Sequence, residues 1–570
     1  MSIEARPQTE IDRIAEAWVD TLVEHDPTTG TYLGRAESNG RLPDYSPAGA
    51  EALADAQRAT LQQLDRSVPV DDVDRVTKTD LAAGLRLSLA RHEAGESLRN
   101  LNVIESPPQS VRDNFDLMPR ETEGDWQAVA ERMRAVGASL EGYRASLAEG
   151  ASRGLAPAIR QVREVAAQSL RVAGGGSTGF FGDLAAEAAD SELNLPDSLR
   201  GELTEAAKAA SKAYGELAEF LEKDLAPRAA QADAFGRDRY ELASEEFLGL
   251  KVDLDETYEW GLEELARMVE EQQRIAAEIT GSAPHPGIVA EAIAKLEADP
   301  ARKLHGTDTL KRWMQETSDR AVEELGNSQF DIPEQIRTLE CMIAPTQEGG
   351  IYYTGPSDDL TRPGRMWWSV PEGVTEFDTW RELTTVYHEG VPGHHLQIAT
   401  AAVNRGSLNE WRRQLAGTSG QAEGWALYAE RLMEQLGYLD DPADRLGMLD
   451  GQRMRAARVV LDIGVHLGKV RPDGEAVWSG DYALEFMREN VNMNEGFVRF
   501  EVNRYLGWAG QAPSYKIGQR IWEQLRDEAS AAATAAGGEF DIRDFHRRAL
   551  DLGVVRLDTL QHALRGELGS

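Results

Sequence analysis

Apolar side chains recur every three or four residues along most of this chain, and charged side chains fill many of the positions between them. A helix with one buried face produces this spacing, because residues three and four apart lie on the same side. Alanine-rich stretches add helix propensity. The pattern therefore predicts a mainly α fold, with helices over residues 9–25, 46–66, 125–149, 198–224, 253–279 and 306–326, and again from 419 to the end.

The pattern changes between residues 337 and 370, where β-branched, aromatic and apolar residues form short runs separated by Pro and Gly. Such runs are typical of strands. We expect residues 337–344, 351–354 and 366–370 to form a small antiparallel β-sheet. A further helix is predicted over 376–391, with Thr375 and Asp378 as its cap. The sheet therefore lies directly before this helix in the chain.

Length and composition are those of a globular protein. The 570 residues are enough for a large core, and 41% of them are apolar. We expect no transmembrane helix, because the chain lacks a run of about 18 apolar residues. We also expect no secretory signal, because the first residues lack a basic patch followed by an apolar stretch. Cys341 is the only cysteine. That fits a reducing compartment, and we predict a cytoplasmic protein.

The chain is strongly acidic, with a formal net charge of −36. Nucleic acid is therefore not an expected partner, since phosphate binding needs Lys and Arg. An anionic membrane surface is disfavoured for the same reason. The charge can steer cationic substrates, but we favour the simpler interpretation of a well-solvated acidic surface. A homodimer remains an open alternative for the assembly.

The richest chemistry lies in one short stretch, where His388, Glu389, His394 and His395 surround Pro392. Zinc peptidases commonly place two His ligands four positions apart on a helix, with the general base directly after the first. Here the fourth position is Pro392, which cannot ligate or continue a regular helix. Seven positions along an unbroken helix would cover about 10 Å, too far for one ion. The helix must therefore break, and we favour His394 as the second ligand, with His395 as the alternative.

A second carboxylate-bearing segment follows, with Glu423 and Glu430 two turns apart on a predicted helix. Two imidazoles and a distant Glu form the ligand set of a catalytic zinc site that keeps one position open. We therefore predict a metal site of His388, His394 and Glu423, with Glu389 as general base. Glu430 can accept a hydrogen bond from a ligand His, although a salt bridge explains it equally well.

These motifs resemble those of a bacterial family called domain of unknown function 885. The resemblance rests on the segments 388–395 and 423–430, on Arg504-Tyr505, on the run 510–518, and on 455–466 with Asp462 and Gly464. That family is similar to Glu-ligated zinc peptidases such as angiotensin-converting enzyme and thimet oligopeptidase. The resemblance implies a large helical metallopeptidase-like fold with a deep central cleft. We place that cleft between an N-terminal half, 1–240, and a catalytic half, 241–570, of one continuous fold.

The resemblance also implies roles for later residues. Related zinc peptidases stabilise the oxyanion with a Tyr or His on a late helix. They bind a substrate carboxylate with cationic and Tyr side chains. They also bind the substrate backbone along the edge of a sheet. For the oxyanion, the best candidate is Tyr515, followed by Tyr505 and His466. The candidates for binding a substrate carboxylate are Arg504, Tyr505 and Lys516. The candidate sheet edge is the segment 366–369, which includes Trp368.

Together these features predict a zinc-dependent hydrolase, with one Zn²⁺ per chain, that cleaves amide bonds of short peptides. The first alternative is a metal-dependent hydrolase or lyase that uses the same site on a non-peptide amide or another small molecule. The second alternative is a non-catalytic helical protein with a structural metal. Glu389 separates the second alternative from the others, because a structural site needs no unligated Glu beside it.

Overall fold

The computed structural model describes residues 6–568 apart from 177, 327 and 346–349. The first five residues, on which the expectation of no secretory signal partly rests, lie outside this part. None of the described helices combines the length and apolar character needed to span a membrane.

The chain is mainly helical, which confirms the predicted fold class. The helices of the first part are α1 (Glu10–His25), α2 (Pro27–Tyr32), α3 (Pro47–Arg66), α4 (Asp72–Glu93), α5 (Pro107–Asp113), α6 (Glu123–Ser152), α7 (Ile159–Val172), α8 (Gly179–Asp190), α9 (Asp197–Phe220) and α10 (Arg237–Leu248). Those of the second part are α11 (Leu254–Thr280), α12 (Ile288–Glu297), α13 (Thr307–Leu325), α14 (Thr379–Glu389), α15 (His394–Val403), α16 (Glu410–Gln414), α17 (Ser419–Gln435), α18 (Pro442–Leu467), α19 (Gly480–Asn490), α20 (Glu495–Gly507), α21 (Gln511–Ala535), α22 (Ile542–Leu550) and α23 (Leu557–Arg565).

The six helices predicted from periodicity before residue 330 are all present, with ends that differ by a few residues at most. Local capping explains why several begin where they do. Thr9 and Asp12 form a reciprocal capping box at the start of α1, and Thr122 and Asp125 do the same for α6. Each box satisfies backbone N–H groups that have no partner inside the helix.

Among the described residues between α12 and α14 there are five short strands. They are β1 (Lys303–His305), β2 (Leu339–Ile343), β3 (Ile351–Thr354), β4 (Gly364–Trp368) and β5 (Glu376–Asp378). β3 and β4 pair antiparallel, as predicted, whereas β2 and β4 pair in parallel. β1 and β5 form a separate antiparallel pair. β5 occupies the first residues of the predicted 376–391 helix, so α14 starts only at Thr379.

The strand order β2–β4–β3 makes β4 the central strand of its sheet. The prediction that residues 366–369 form a sheet edge is therefore wrong, because β4 is paired on both sides. Trp368 is 3% exposed and packs in a cluster with Met314 and Phe377. This position removes the structural basis for Trp368 as a substrate-binding residue on an edge strand.

Two large clusters of buried side chains dominate the interior. One is built from residues between 101 and 229, and the other from residues 240 onward together with Val76. In the second cluster α17 and α21 cross with their backbones almost in contact. A Cβ on Gly518 would lie 1.9 Å from the carbonyl oxygen of Gly420. This close crossing sets α21 against the helix that carries Glu423. The division near residue 240 stays a prediction.

Candidate metal centre

The helix that carries His388 breaks where the sequence predicts. α14 ends at Glu389 and α15 begins at His394, with a four-residue turn between them that contains a cis peptide bond before Pro392. Gly393 lies against the preceding helix, since a Cβ there would sit 1.8 Å from the carbonyl oxygen of His388. The tight turn brings the rings of His388 and His394 to 4.9 Å.

The turn is held from the other side by α17. The indole N–H of Trp425 donates to the carbonyl oxygens of Pro392 and Gly393, at 2.8 and 3.2 Å. Trp425 lies two residues after Glu423, so the same helix that fixes the turn also presents the third candidate ligand, a carboxylate. The two segments that carry the candidate ligands are therefore joined by the buried hydrogen bonds of Trp425.

His388, His394 and Glu423 converge on one point. The Nε2 atoms of the two imidazoles lie 3.4 and 3.5 Å from Oε2 of Glu423. Ligands of a tetrahedral zinc ion with bonds of about 2.0–2.1 Å stand roughly 3.3 Å apart. Oε2 of Glu423 is buried and has no hydrogen-bond partner among the described residues. The donor set, its spacing and this unsatisfied oxygen all fit a divalent metal ion.

The electrostatics of the three side chains are strongly coupled. Burial alone would lower the pKa of His388, but its contacts with the carboxylates of Glu423 and Glu430 raise it to about 10. Burial would raise the pKa of Glu423, yet its contacts with both imidazoles hold it well below its usual range. Without a metal, His388 therefore carries a proton between two carboxylates. A metal ion would take the place of that proton at Nε2.

A chain of buried polar groups supports His388 from behind. Its Nδ1 donates to Oε1 of Glu430 at 2.8 Å, and Gln452 donates to the other oxygen at 3.3 Å. Lys516 in turn donates to Gln452 at 2.7 Å and pairs with Glu264 at 2.9 Å. Glu430 thus accepts a hydrogen bond from His388, as predicted, and its role in supporting a metal ligand stays a prediction. Gln452 and Glu264 were missed, because no sequence pattern marks them.

Glu389 is 6% exposed, and it makes no hydrogen bond or ion pair with any described residue. Burial raises the pKa of Glu389 above its usual value, although the nearby His394 and His388 partly offset this increase. A carboxylate beside the ligands that ligates nothing itself is the expected arrangement for a general base.

His395 faces away from the three ligands. Its Nε2 donates to the carbonyl oxygen of Ile336 at 2.8 Å, and Tyr353 donates to its Nδ1 at 2.9 Å. Burial lowers its pKa to about 4. With both ring nitrogens engaged, His395 fixes the turn against the sheet, and His394 is the one that joins the candidate site.

Tyr515 lies close to the ligands. Burial, and then the charge of Glu423, raise its pKa to about 12, so its hydroxyl stays protonated. The guanidinium carbons of Arg458 and Arg455 lie 5.4 and 5.8 Å from its ring centre. The geometry is compatible with the predicted role of Tyr515 as a donor at the site. Arg455 was not singled out from the sequence.

Three other predicted residues take part in internal networks. Arg504 donates to Glu501 at 2.9 Å and to Gln511 at 2.5 Å. The Tyr505 hydroxyl contacts Glu501 and accepts from Arg458 at 2.6 Å. Lys516 is buried in the chain behind His388. Their polar groups are already engaged within the protein, so their substrate-binding roles stay predictions.

His466 is not brought to the site. It lies eleven residues after Arg455 on α18, about 16 Å further along the axis. Its ring packs against Phe235 and Tyr240, and its Nε2 donates to the carbonyl oxygen of Tyr505 at 3.1 Å. A cavity of about 670 Å³ lies between α4, α10 and the start of α17, and none of the three ligands lines it. A deep cleft at the metal site stays a prediction.

The fold and the three converging side chains define a mainly helical protein with a candidate His-His-Glu metal centre. Over residues 27–564 the sequence matches the family described as bacterial protein of unknown function (DUF885), and the chain belongs to that family. No curated protein matches it.

Two solved structures share the fold over nearly the whole chain. The first, from Colwellia psychrerythraea, is 21% identical, has a TM-score of 0.81 and covers 98% of this chain and 99% of its own. The second, from Shewanella oneidensis, is 19% identical, has a TM-score of 0.75 and covers 97% of this chain and 99% of its own. Each is described as a "putative lipoprotein". At this identity the likeness shows the fold alone.

Proposed function

We propose that this protein is a metal-dependent hydrolase that cleaves an amide bond of a short peptide, with zinc as the metal and Glu389 as the general base. The observation that supports this most is the combination of three converging ligands with a buried carboxylate that ligates nothing. A closed structural zinc site has four protein ligands, whereas a catalytic one has three and keeps an open position.

Each residue then has a defined task. His388, His394 and Glu423 would hold the ion, and a bound zinc ion would supply a water whose pKa is lowered to about 7. Glu389 takes the proton of the attacking water and later hands it to the leaving amine. Tyr515 keeps its proton and can donate to the developing oxyanion.

The test is hydrolysis of a peptide library by the zinc-loaded protein, with Glu389→Gln as the control. The amide keeps the size of the side chain and leaves the three ligands intact, but it cannot accept the proton. We expect kcat to fall by at least about 10²-fold while zinc content stays at about one ion per chain. Near-normal turnover by Glu389→Gln would remove Glu389 from the role. A library in which no peptide is cut would contradict the peptidase proposal itself.

A further inference from the structure

Arg455 is a cation at the candidate metal centre whose guanidinium has no hydrogen-bond or ion-pair partner among the described residues. Its side chain folds back along α18 over Gly451, where a Cβ would lie only 2.6 Å from its Nη1. Its guanidinium carbon lies 5.8 Å from the ring centre of Tyr515. Its charge lowers the pKa of both Glu389 and Glu430. Arg455 therefore lies beside the predicted general base and the predicted oxyanion donor.

The guanidinium of Arg455 makes no hydrogen bond or ion pair with any residue that the structure describes, and its Nε is buried. The neighbouring cations are all satisfied. Arg458 donates to Tyr505 and Glu501, Arg504 to Glu501 and Gln511, and Lys516 to Gln452 and Gln519. Donors shielded from water normally have partners, because leaving them unpaired costs free energy. Although its charge lowers the pKa of Glu389 and Glu430, no described residue accepts a hydrogen bond from Arg455.

The charges around Tyr515 suggest what that acceptor is. The charges of Glu423, Arg455, Arg458 and Arg504 act on Tyr515. Arg455 in turn acts on Glu389 and Glu430, and Arg458 and Arg504 act on Glu501, so the connected set holds four carboxylates and three guanidinium groups. The two ligand imidazoles are neutral when a metal is bound. A divalent ion therefore leaves one positive charge in excess. One singly charged anionic group on a ligand would balance it.

We propose that Arg455 binds a free carboxylate of the substrate, so that the substrates are short peptides or acyl amino acids whose C-terminal carboxylate lies close to the scissile bond. The planar guanidinium matches a carboxylate with two parallel hydrogen bonds, a geometry that Lys cannot reproduce. The inference rests on the proposed hydrolase function and assigns the carboxylate to Arg455 instead of Arg504 or Lys516, whose partners are internal.

The test measures binding, so it does not depend on turnover. The parent is zinc-loaded Glu389→Gln protein, which retains ligands without cleaving them. The probes are N-acetylated dipeptides that span the twenty amino acids at the C-terminal position, each as the free acid and as the amide. Titration calorimetry gives Kd for both forms. We expect the free acids that bind to do so at least about tenfold more tightly than their amides, as a charge-assisted contact implies.

Three further substitutions in that parent isolate Arg455. Arg455→Met should reduce the preference for the acid to about twofold or less, and Arg455→Lys should leave it intermediate. Gly451→Ala keeps Arg455 but displaces its guanidinium, so the preference should fall although Ala favours the helix. The matched control is Arg445→Met, in the first turn of the same helix, where the guanidinium pairs with Glu278. It should leave the preference unchanged.

The outcomes separate the two proposals. Equal binding of acids and amides by the parent, or an acid preference that survives Arg455→Met, overturns the Arg455 assignment and leaves the hydrolase proposal standing. If no dipeptide binds in either form although zinc is retained, the Arg455 assignment and the proposed peptide substrate both fail.

Discussion

At the scale of single residues, the candidate centre is a set of polar groups that hold one another in place. Glu430 illustrates this, because it lies behind His388 and makes no contact with the metal position. Its hydrogen bond to Nδ1 fixes the tautomer that leaves Nε2 free to ligate. Its low pKa, despite burial, shows that the charged form is the stable one, with Arg455 and His388 nearby.

We therefore expect Glu430→Gln to weaken zinc binding by about 10- to 100-fold without removing any ligand. Competition with a chromophoric chelator measures the affinity. Glu434→Gln is the matched control, since Glu434 lies one turn further along α17 and pairs with Arg431. Equal affinities for the two variants would show that Glu430 does not support the metal ligand.

A second prediction at this scale concerns the proton on His388, because the pKa of His388 in the metal-free protein is raised from 6.5 to about 10. At pH 8 it is protonated, and the proton must leave before Nε2 can ligate. Zinc uptake at pH 8 should therefore release at least about one proton per chain, measurable by calorimetry in Hepes and Tris, whose ionisation enthalpies differ. His388 supplies one proton, and a zinc-bound water with a pKa of about 7 would supply a further one. Heats that are independent of the buffer would contradict the raised pKa.

The same shift affects the stability of the metal-free protein, and its sign is defined. A pKa raised in the folded state contributes stability that is fully present below about 6.5 and is lost as the pH rises through about 10. The zinc-bound protein should lack this dependence, because its His388 is already deprotonated. The measurement is the unfolding midpoint of the metal-free and of the zinc-bound protein between about pH 6.5 and pH 10.

At the scale of elements, the turn from Gly390 to Gly393 decides which histidine ligates. Pro392 and Gly393 indicated a break from the sequence alone, since neither continues a helix well. The choice between His394 and His395 depended on how tightly the chain turns. The carbonyl of His388 occupies the space where a Cβ at position 393 would lie, so only glycine permits this approach.

Gly393→Ala should therefore displace the turn and lose zinc, since the new Cβ would lie 1.8 Å from the His388 oxygen. Zinc content and the unfolding midpoint should both fall. Gly137→Ala, in the open interior of α6, is the control, because nothing lies within 4 Å of its added Cβ. It should keep zinc and gain a little stability. Full zinc occupancy in Gly393→Ala would contradict the close approach.

The helices were predictable because periodicity is a local property, whereas the strand pairing was not. β2, β3 and β4 are each four or five residues long, and nothing within them sets a parallel partner for β4.

The sequence by itself also does not decide whether a cationic side chain already has an acceptor within the protein. Arg504 and Lys516 looked available from the sequence, but Arg504 donates to Glu501, one turn earlier on the same helix, and Lys516 pairs with Glu264, which helix packing brings to it. Among the described residues Arg455 has no such acceptor, and only the folded arrangement shows this.

At the scale of the whole molecule, one core positions a site whose ligands come from three helices. α14, α15 and α17 supply the ligands, and α18 and α21 supply Arg455 and Tyr515. The crossing of α17 and α21 at Gly420, Gly424 and Gly518 joins these groups. The cytoplasmic location and the absence of nucleic-acid partners are expectations for the whole chain, the second drawn from its net charge of −36, and the fold itself does not test them.

The central claim is that His388, His394 and Glu423 bind one metal ion, and elemental analysis of the purified protein tests it most directly. We expect about one zinc per chain in the wild type and in His395→Ala, and almost none in His388→Ala, His394→Ala and Glu423→Ala. A wild type without stoichiometric metal after zinc loading, or a His394→Ala protein that retains full zinc while His395→Ala loses it, would contradict the account.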